Sequence, residues 1–500
     1  MLTCVIDADR ALFARNPMIY GQFLEHFHRQ IYGGVYDPAS PRADADGLRT
    51  DVLDALREIR TPIIRWPGGC FVSAYDWKKG VGRNRPAVFD KAWRVEEPNT
   101  FGTDEFIALC RKLNCEPYIC TNAGTGRAEA MSDWVEYCNM PEMGEYARLR
   151  KANGHSEPFG VKYWSIGNEN YGSWEIGAYA PREWSRLVLE SAKMMKRADP
   201  SISLSAAALD DLDWNCELLK TAGGWLDWIS LHAYWDGVNQ TNALADYLHS
   251  MAYTVRLEDS IRRTRGLLTA FGLEKRIKIS FDEWNLRGWY HPNAPEVRGP
   301  VPDDRYYAPR DDNDLNATYN MADAIVTACF LNALLRNGDL VQMACYAPAV
   351  NTRGLIYTWE NGIVKRSTFH VFSMYVNMMG DQVLSSWRPE IAALDTVDGI
   401  CVDALDIAAT RCAHSGDVAI SIVNKHPDSA LQIKVELAGF AFARAVTLCG
   451  KTVESYNDVH CQDAVPFENT ACVSARDGEF LIELPAHSVN VLRFVRQSVK

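Results

Sequence analysis

Between residues 18 and 350 the chain alternates short β-rich runs with longer stretches of helical period, and it does so eight times, which leaves few architectures open. The β-rich runs fall at 18–27, 61–69, 115–124, 161–169, 201–208, 228–235, 277–285 and 341–349. The stretch 103–113 represents the helical segments. Thr103 can cap it, Asp104 and Glu105 suit its first turn, and Phe106, Leu109, Cys110 and Leu113 form one apolar stripe. Strand then helix, eight times over, predicts an α/β chain folded as a (β/α)8 TIM barrel. The competing architecture is a doubly wound sheet, which carries a glycine-rich phosphate turn after its first strand. Here the first run ends in Glu25-His26-Phe27-His28, and the nearest glycine cluster, Gly124-Thr125-Gly126, lacks the third glycine. A nucleotide-dependent oxidoreductase is excluded on the same ground.

From about residue 382 the pattern becomes one of short alternating strands separated by turn residues, among them 418–424, 431–437 and 479–484. This predicts a C-terminal, jelly-roll-like β-sandwich. A chain of 500 residues exceeds what one core usually supports. The expected division is therefore an N-terminal segment, 1–17, packing with the C-terminal β domain, a catalytic barrel at 18–380 and a β-sandwich at 381–500. The irregular stretch 286–316 is rich in Pro, Asp and Arg and comes after the seventh run. It is expected at the barrel's C-terminal face, bordering the site as a lid.

A net charge of −12 argues against nucleic acid and anionic membrane as partners, because neither attracts an acidic surface. The start of the chain lacks the pattern of a secretory leader, and no run reaches the length of a membrane span. The fourteen cysteines include several in apolar segments, such as Cys110, Cys120, Cys329 and Cys345. They read as free thiols in a reducing cytoplasm rather than as a disulfide framework.

Catalytic groups of a TIM barrel come from the C-terminal ends of its strands. Two ends carry an acid in a suggestive setting: Trp164-Ser165-Ile166-Gly167-Asn168-Glu169-Asn170 and Ser280-Phe281-Asp282-Glu283-Trp284-Asn285. Two carboxylates across one mouth can act on a glycosidic bond, one protonating the leaving oxygen while the other attacks the anomeric carbon. A partly apolar setting beside a like charge is expected to keep Glu169 protonated at neutral pH. His26 and His28 alternate on a strand and cannot readily chelate together, so neither a metal nor a cofactor is expected. His26 or His232 supporting a carboxylate by hydrogen bonding is the expected use. Of Trp66, Trp77, Trp93, Trp174, Trp235, Trp284 and Trp289, one or two are expected to touch substrate.

Tyr20-Gly21-Gln22-Phe23-Leu24-Glu25-His26, Arg65-Trp66-Pro67-Gly68-Gly69-Cys70-Phe71, Gly167-Asn168-Glu169-Asn170 and Asp282-Glu283-Trp284-Asn285 occur in this order. Together they resemble glycoside hydrolase family 51, the α-L-arabinofuranosidases, within the clan of retaining TIM-barrel glycosidases. The likeness runs through nearly the whole chain, including the closing Leu484-Pro485-Ala486-His487-Ser488-Val489.

The resemblance implies Glu169 as acid/base, Glu283 as nucleophile and Asn168 as the partner of the sugar 2-hydroxyl. It further implies that Tyr234 orients Glu283, that Glu25 binds arabinofuranose hydroxyls, and that Gln342 belongs to the sugar subsite. The plainer alternatives are an aromatic of the barrel wall for Tyr234 and a structural carboxylate for Glu25. Cys70 stands where many members have Asn, so it is either a weak sugar contact or a packed, inert thiol.

The implied activity is exo-release of terminal L-arabinofuranosyl residues from oligo- or polysaccharides, by a homo-oligomer such as a hexamer. The alternatives are another retaining glycosidase of the clan, an endo-β-glucanase, xylanase or β-xylosidase, and a carbohydrate-binding barrel that has lost its chemistry.

Overall fold

The computed structural model describes residues 2–236, 244–287, 315–388, 392–469, 472–476 and 478–497. After strand β1 (Leu2–Ala14), eight parallel strands make the barrel. These are β2 (Gly21–Phe23), β3 (Ile63–Trp66), β4 (Glu116–Thr121), β5 (Tyr163–Ile166), β6 (Ser203–Ala206), β7 (Trp228–Asp236), β8 (Lys278–Arg287) and β9 (Val341–Tyr346). Each falls within or overlaps one of the eight β-rich runs. Neighbours in sequence are neighbours in the sheet, and β9 returns to pair with β2. Between β6 and β7 the ring closes through an isolated bridge, Ala207 to Ser230, and a 2.9 Å bond from the Ala208 amide to the Ser230 carbonyl.

Inward-facing Phe23, Ile63, Tyr118, Tyr163, Trp228, Met343 and Cys345 plug the barrel's interior, so it is a packed core and not a pore. Helix α1 (Thr103–Leu113) shows the helical layer at work, with Phe106, Leu109, Cys110 and Leu113 all buried. Its cap differs from expectation. Gly102 is the N-cap and donates its amide to the Glu105 carboxylate at 2.8 Å, while the Thr103 hydroxyl accepts from the indole of Trp134 at 3.1 Å. Thr103 is therefore already inside the first turn, where burial against Trp134 uses its side chain.

The C-terminal strands are β10 (Gln382–Trp387), β11 (Leu405–Arg411), β12 (Val418–Asn424), β13 (Leu431–Glu436), β14 (Phe440–Leu448), β15 (Pro466–Glu468), β16 (Cys472–Arg476), β17 (Glu479–Leu484) and β18 (Ser488–Arg496). With β1 they form one ten-stranded sheet in the order β15-β14-β18-β12-β11-β10-β1-β13-β17-β16. Ile433, Val435 and Ile482 from one half share a core with Ile420, Ile422, Leu492 and Phe494 from the other, so the sheet folds over on itself. β1 is the strand at the fold, antiparallel to β10 and parallel to β13, and its register slips between Asp7 and Ala11. Irregularities of this kind let one strand serve two layers.

Helix α2 (Met321–Arg336) is buried almost all the way round. It lies between barrel and sheet, stacking Phe330 on Trp284 at 3.8 Å and sending Arg336 and Asn332 to Asp406. Every cysteine described is free, and Cys110, Cys120, Cys329 and Cys345 are buried.

Candidate active site

β8 supplies two consecutive acids, and a regular strand would point them to opposite faces. Its register slips against β7 between Ser280 and Glu283, and against β9 between Phe281 and Trp284. That bulge turns both Asp282 and Glu283 toward the barrel axis. Asp282 is fully buried, accepting from Tyr118 at 2.7 Å and from the Ser230 hydroxyl, with the Arg65 Nε 3.3 Å away. Glu283 accepts from Arg65 at 2.5 Å through Oε1 and from the Tyr234 hydroxyl at 2.8 Å through Oε2.

Glu169 leaves β5 through a tight turn. Gly167 has φ +71°, and a side chain there would collide with Asn170, Trp184 and Ala123, so only glycine fits. Glu169 itself sits at φ +44°, a left-handed conformation that costs free energy in a non-glycine residue. Its Oε1 meets His232 Nδ1 at 2.8 Å, and its Oε2 accepts from the exposed Trp174 indole at 2.7 Å. His232 also lies 3.5 Å from Glu283, and one ligand atom from each of Glu169, His232 and Glu283 falls within 4.8 Å of the others.

The paired glycines of the Arg65–Phe71 motif have a steric reason. A Cβ on Gly68 would lie 2.3 Å from Glu25 Cγ, and one on Gly69 would lie 3.2 Å from oxygens of both Glu25 and Glu283. Glycine lets this backbone pass between the two acids. Glu25 accepts from the Phe71 amide and the Trp93 indole, each at 3.0 Å. Asn168 accepts from Arg65 at 2.8 Å, and its amide nitrogen donates to Glu175 at 3.2 Å.

Electrostatics are set by this crowding. Burial, then the charges of Glu283 and Glu175, push the Glu25 carboxyl well up, against the bonds from Phe71 and Trp93. Burial raises Glu175 to about 7, despite the nearby Ser73 and Cys70. Burial also raises the Cys70 thiol, and Glu175, Glu169 and Glu25 add to that rise.

Glu169 departs from expectation. Burial pushes it up, but the hydrogen bond and charge of His232, with the Trp174 indole, outweigh burial and hold it below the ordinary carboxyl value. His232 is correspondingly raised to about 9: burial opposes its charge, and Glu283, Glu169 and Asp282 override burial. The rise expected for Glu169 is therefore reversed by its imidazole partner.

The structure brings Glu25, Cys70, Asn168, Glu169, Tyr234 and Glu283 into one mouth, and it does not bring Gln342. Gln342 lies one residue into β9, beside Ile279 and Ser280, about 10 Å short of Glu283 at the strand rise of roughly 3.3 Å per residue. Met343 and Cys345 face the barrel interior, so by alternation Gln342 faces the helical layer. Of the run 341–349, only the part up to Tyr346 is strand, and it is the C-terminal end of β9, not its start, that lies toward the mouth.

His26 supports a carboxylate away from the catalytic pair, bonding Glu97 at 3.1 Å. Of the tryptophans, Trp93 and Trp174 contact site carboxylates, Trp66, Trp77 and Trp284 are core, and the Trp235 side chain and all of Trp289 lie outside what is described. The proposed lid, 286–316, also lies almost wholly outside them. Sequence reasoning gave no role to Arg65, Asp282 or Glu175. Arg65 stood inside a quoted motif, and a buried-strand arginine level with two acids was the available signal.

Family models match in two places: an α-L-arabinofuranosidase 1 domain over residues 55–252 and an α-L-arabinofuranosidase C-terminal domain over 282–488. An intracellular exo-α-(1→5)-L-arabinofuranosidase of Bacillus subtilis is 33% identical, covering 99% of both chains. Among solved structures, the arabinose complex of the Thermotoga maritima α-L-arabinofuranosidase is 34% identical with a TM-score of 0.87, covering 99% of each chain. The GH51 α-L-arabinofuranosidase of Thermotoga petrophila is 33% identical with a TM-score of 0.85, covering 99% of this chain and all of that one.

Proposed function

This chain belongs to glycoside hydrolase family 51, the α-L-arabinofuranosidases, and on that footing we propose a retaining double displacement carried out by Glu169 and Glu283. The enzyme is an exo-acting α-L-arabinofuranosidase that releases terminal L-arabinofuranosyl residues. The observation that carries the retaining mechanism is separation. Oxygens of the two carboxylates lie within 4.8 Å, bridged by one imidazole. Retaining pairs sit about 5–5.5 Å apart, whereas inverting pairs need roughly 6.5–9.5 Å to admit a water.

In the first step a Glu283 oxygen bonds to the anomeric carbon as the bond to the leaving oxygen breaks. Arg65 and Tyr234 hold Glu283 in line by hydrogen bonds to its two oxygens. The leaving oxygen receives its proton from Glu169, which draws it across the 2.8 Å contact with His232. Trp174, 58% exposed beside Glu169, offers a face to the leaving sugar. In the second step Glu169 takes a proton from water, which attacks the same carbon and frees Glu283. Glu25 and Asn168 bind sugar hydroxyls, with Asn168 fixed between Arg65 and Glu175.

No cofactor enters this scheme. Its substrates are arabinofuranosyl-containing oligo- or polysaccharides. We assign the enzyme to the cytoplasm as a homo-oligomer; among the described residues no helix is long and apolar enough to cross a membrane. The division at residues 17 and 380 remains our reading of its domains.

Hydrolysis of aryl α-L-arabinofuranoside, xyloside, glucoside and galactofuranoside side by side tests the substrate class. The arabinofuranoside should lead, and a preference for a pyranoside would move the chain to another activity of the clan.

A further inference from the structure

The double displacement gives the Cys70 thiol no role and Glu175 only its hold on Asn168. Cys70 comes directly after Gly69 at the rim, and Glu175 enters from the loop after β5. Cys70 Sγ, one oxygen of Glu169 and one of Glu175 lie within 4.8 Å of one another. Glu175 is only 6% exposed, and its Oε2 holds Asn168. Its Oε1 is buried without a well-aligned hydrogen-bond partner, with the Ser73 hydroxyl and the Cys70 thiol beside it. An unsatisfied buried carboxylate oxygen is costly, and one aimed at a thiol and a second carboxylate is a donor lacking a cation. Donors on a tetrahedral Zn²⁺ sit roughly 3.3–3.8 Å apart, given bonds of about 2.0–2.3 Å. Small side-chain rotations close the difference.

We propose that Cys70, Glu169 and Glu175 form a binding site for a thiophilic divalent cation of the Zn²⁺ class, with water in the fourth position, and that its occupation inhibits the enzyme. On binding, the Sγ–H bond breaks, its proton leaves to solvent, and a metal–thiolate bond forms. Thiolate and two carboxylates then face two positive charges, which relieves the mutual repulsion of these acids. The glutamates alone would suit a hard cation. The sulfur selects a softer one. Inhibition rests on the role proposed for Glu169, since the cation ties up that carboxylate and blocks the mouth; binding does not.

The test is titration of the full-length enzyme with Cd²⁺ and with Co²⁺, following thiolate-to-metal charge-transfer absorption and counting bound metal by equilibrium dialysis. One equivalent should bind with that absorption, and arabinose should compete. Cys70→Ser should remove the absorption and weaken Cd²⁺ binding by at least about 100-fold, beyond the range of outer-shell changes. Glu175→Gln should weaken binding while the absorption persists at saturation. Cys401→Ser and Cys461→Ser, at exposed thiols, should change nothing. Circular dichroism confirms that each variant is folded.

Absorption that survives Cys70→Ser would overturn the site. So would binding without thiolate absorption, which places the metal on Glu169, His232 and Glu283 instead, or an absence of binding. In parallel, Zn²⁺ should raise KM for the aryl arabinofuranoside and leave kcat unchanged. Thiolate absorption with undiminished activity would keep the site and remove Glu169 from its assigned role.

Discussion

The barrel mouth and the folded ten-stranded sheet solve the problem of burial in opposite ways. The sheet buries Ile420, Ile422, Ile433, Val435, Leu492 and Phe494 against one another, and the ladder between β12 and β18 pairs its backbone groups in unbroken register. The mouth buries Glu25, Asn168, Glu175, Asp282 and Glu283 and holds Glu169 in a left-handed conformation. One region gains stability from apolar area, about 25 cal/mol per Å² removed from water. The other spends it on charge and strain, as sites built for chemistry commonly do. Arg65 thus does for the mouth what hydrophobic contact does for the sheet, since it reaches Asp282, Glu283 and Asn168 together.

Substitutions can pull the two regions apart. Arg65→Met strands two buried carboxylates and should cost about 3–5 kcal/mol of stability together with most of kcat. Ile420→Ala should cost about 2–5 kcal/mol and leave kcat per folded enzyme unchanged. Denaturant melts alongside initial rates separate the two. An Arg65 variant that stays as stable as the parent would show that the acids do not need their cation.

The finer contrast lies in pH. Glu175 is raised to about 7 from an ordinary 4.5, so between those values the folded carboxyl keeps a proton that the unfolded chain releases. Stability should therefore fall as pH rises from 4.5 to 7, by at most about 3 kcal/mol for this group. Glu175→Gln removes that slope, so the variant should gain on the parent as pH rises. Equal slopes in thermal melts from pH 4.5 to 8 would contradict the burial argument.

His232 carries the opposite sign. Raised to about 9, its charged form contributes stability fully below pH 6.5 and loses it as pH passes 9. The alkaline limb of kcat/KM should lie near 9, where the Glu169 and His232 pair gives up its shared proton. In His232→Gln that limb should move toward acid, because Glu169 must then hold the proton unaided. A limb that stays put would remove His232 from the proton's path.

Much of this was legible in the sequence, for physical reasons. Eight strands and the two glutamates were readable because strand period and strand ends are local patterns. Glu25, Cys70, Asn168 and Tyr234 arrive in the mouth because each stands at or just past such an end. Gln342 fails because it stands at the start of β9, whose other end reaches the mouth, and because it alternates with the inward-facing Met343. The lowering of Glu169 was not legible because its cause, His232, stands 63 residues away, while the local sequence shows only an apolar setting. Glu175 sits in a loop with no period at all. The bulge that turns both Asp282 and Glu283 inward depends on pairing with β7 and β9, which one strand's residues do not reveal.

In the mechanism proposed for this mouth, Glu283 attacks the anomeric carbon and Glu169 handles the proton, and azide separates those roles most directly. Glu169→Ala should lose about 10²- to 10⁴-fold on substrates whose leaving group needs protonation, yet still form the glycosyl-enzyme from an activated aryl α-L-arabinofuranoside. Azide added to this variant should displace Glu283 from the intermediate and give the α-configured arabinosyl azide, read by NMR. A β-configured azide from Glu169→Ala would mean direct displacement on the substrate, and the two glutamates would have to exchange roles.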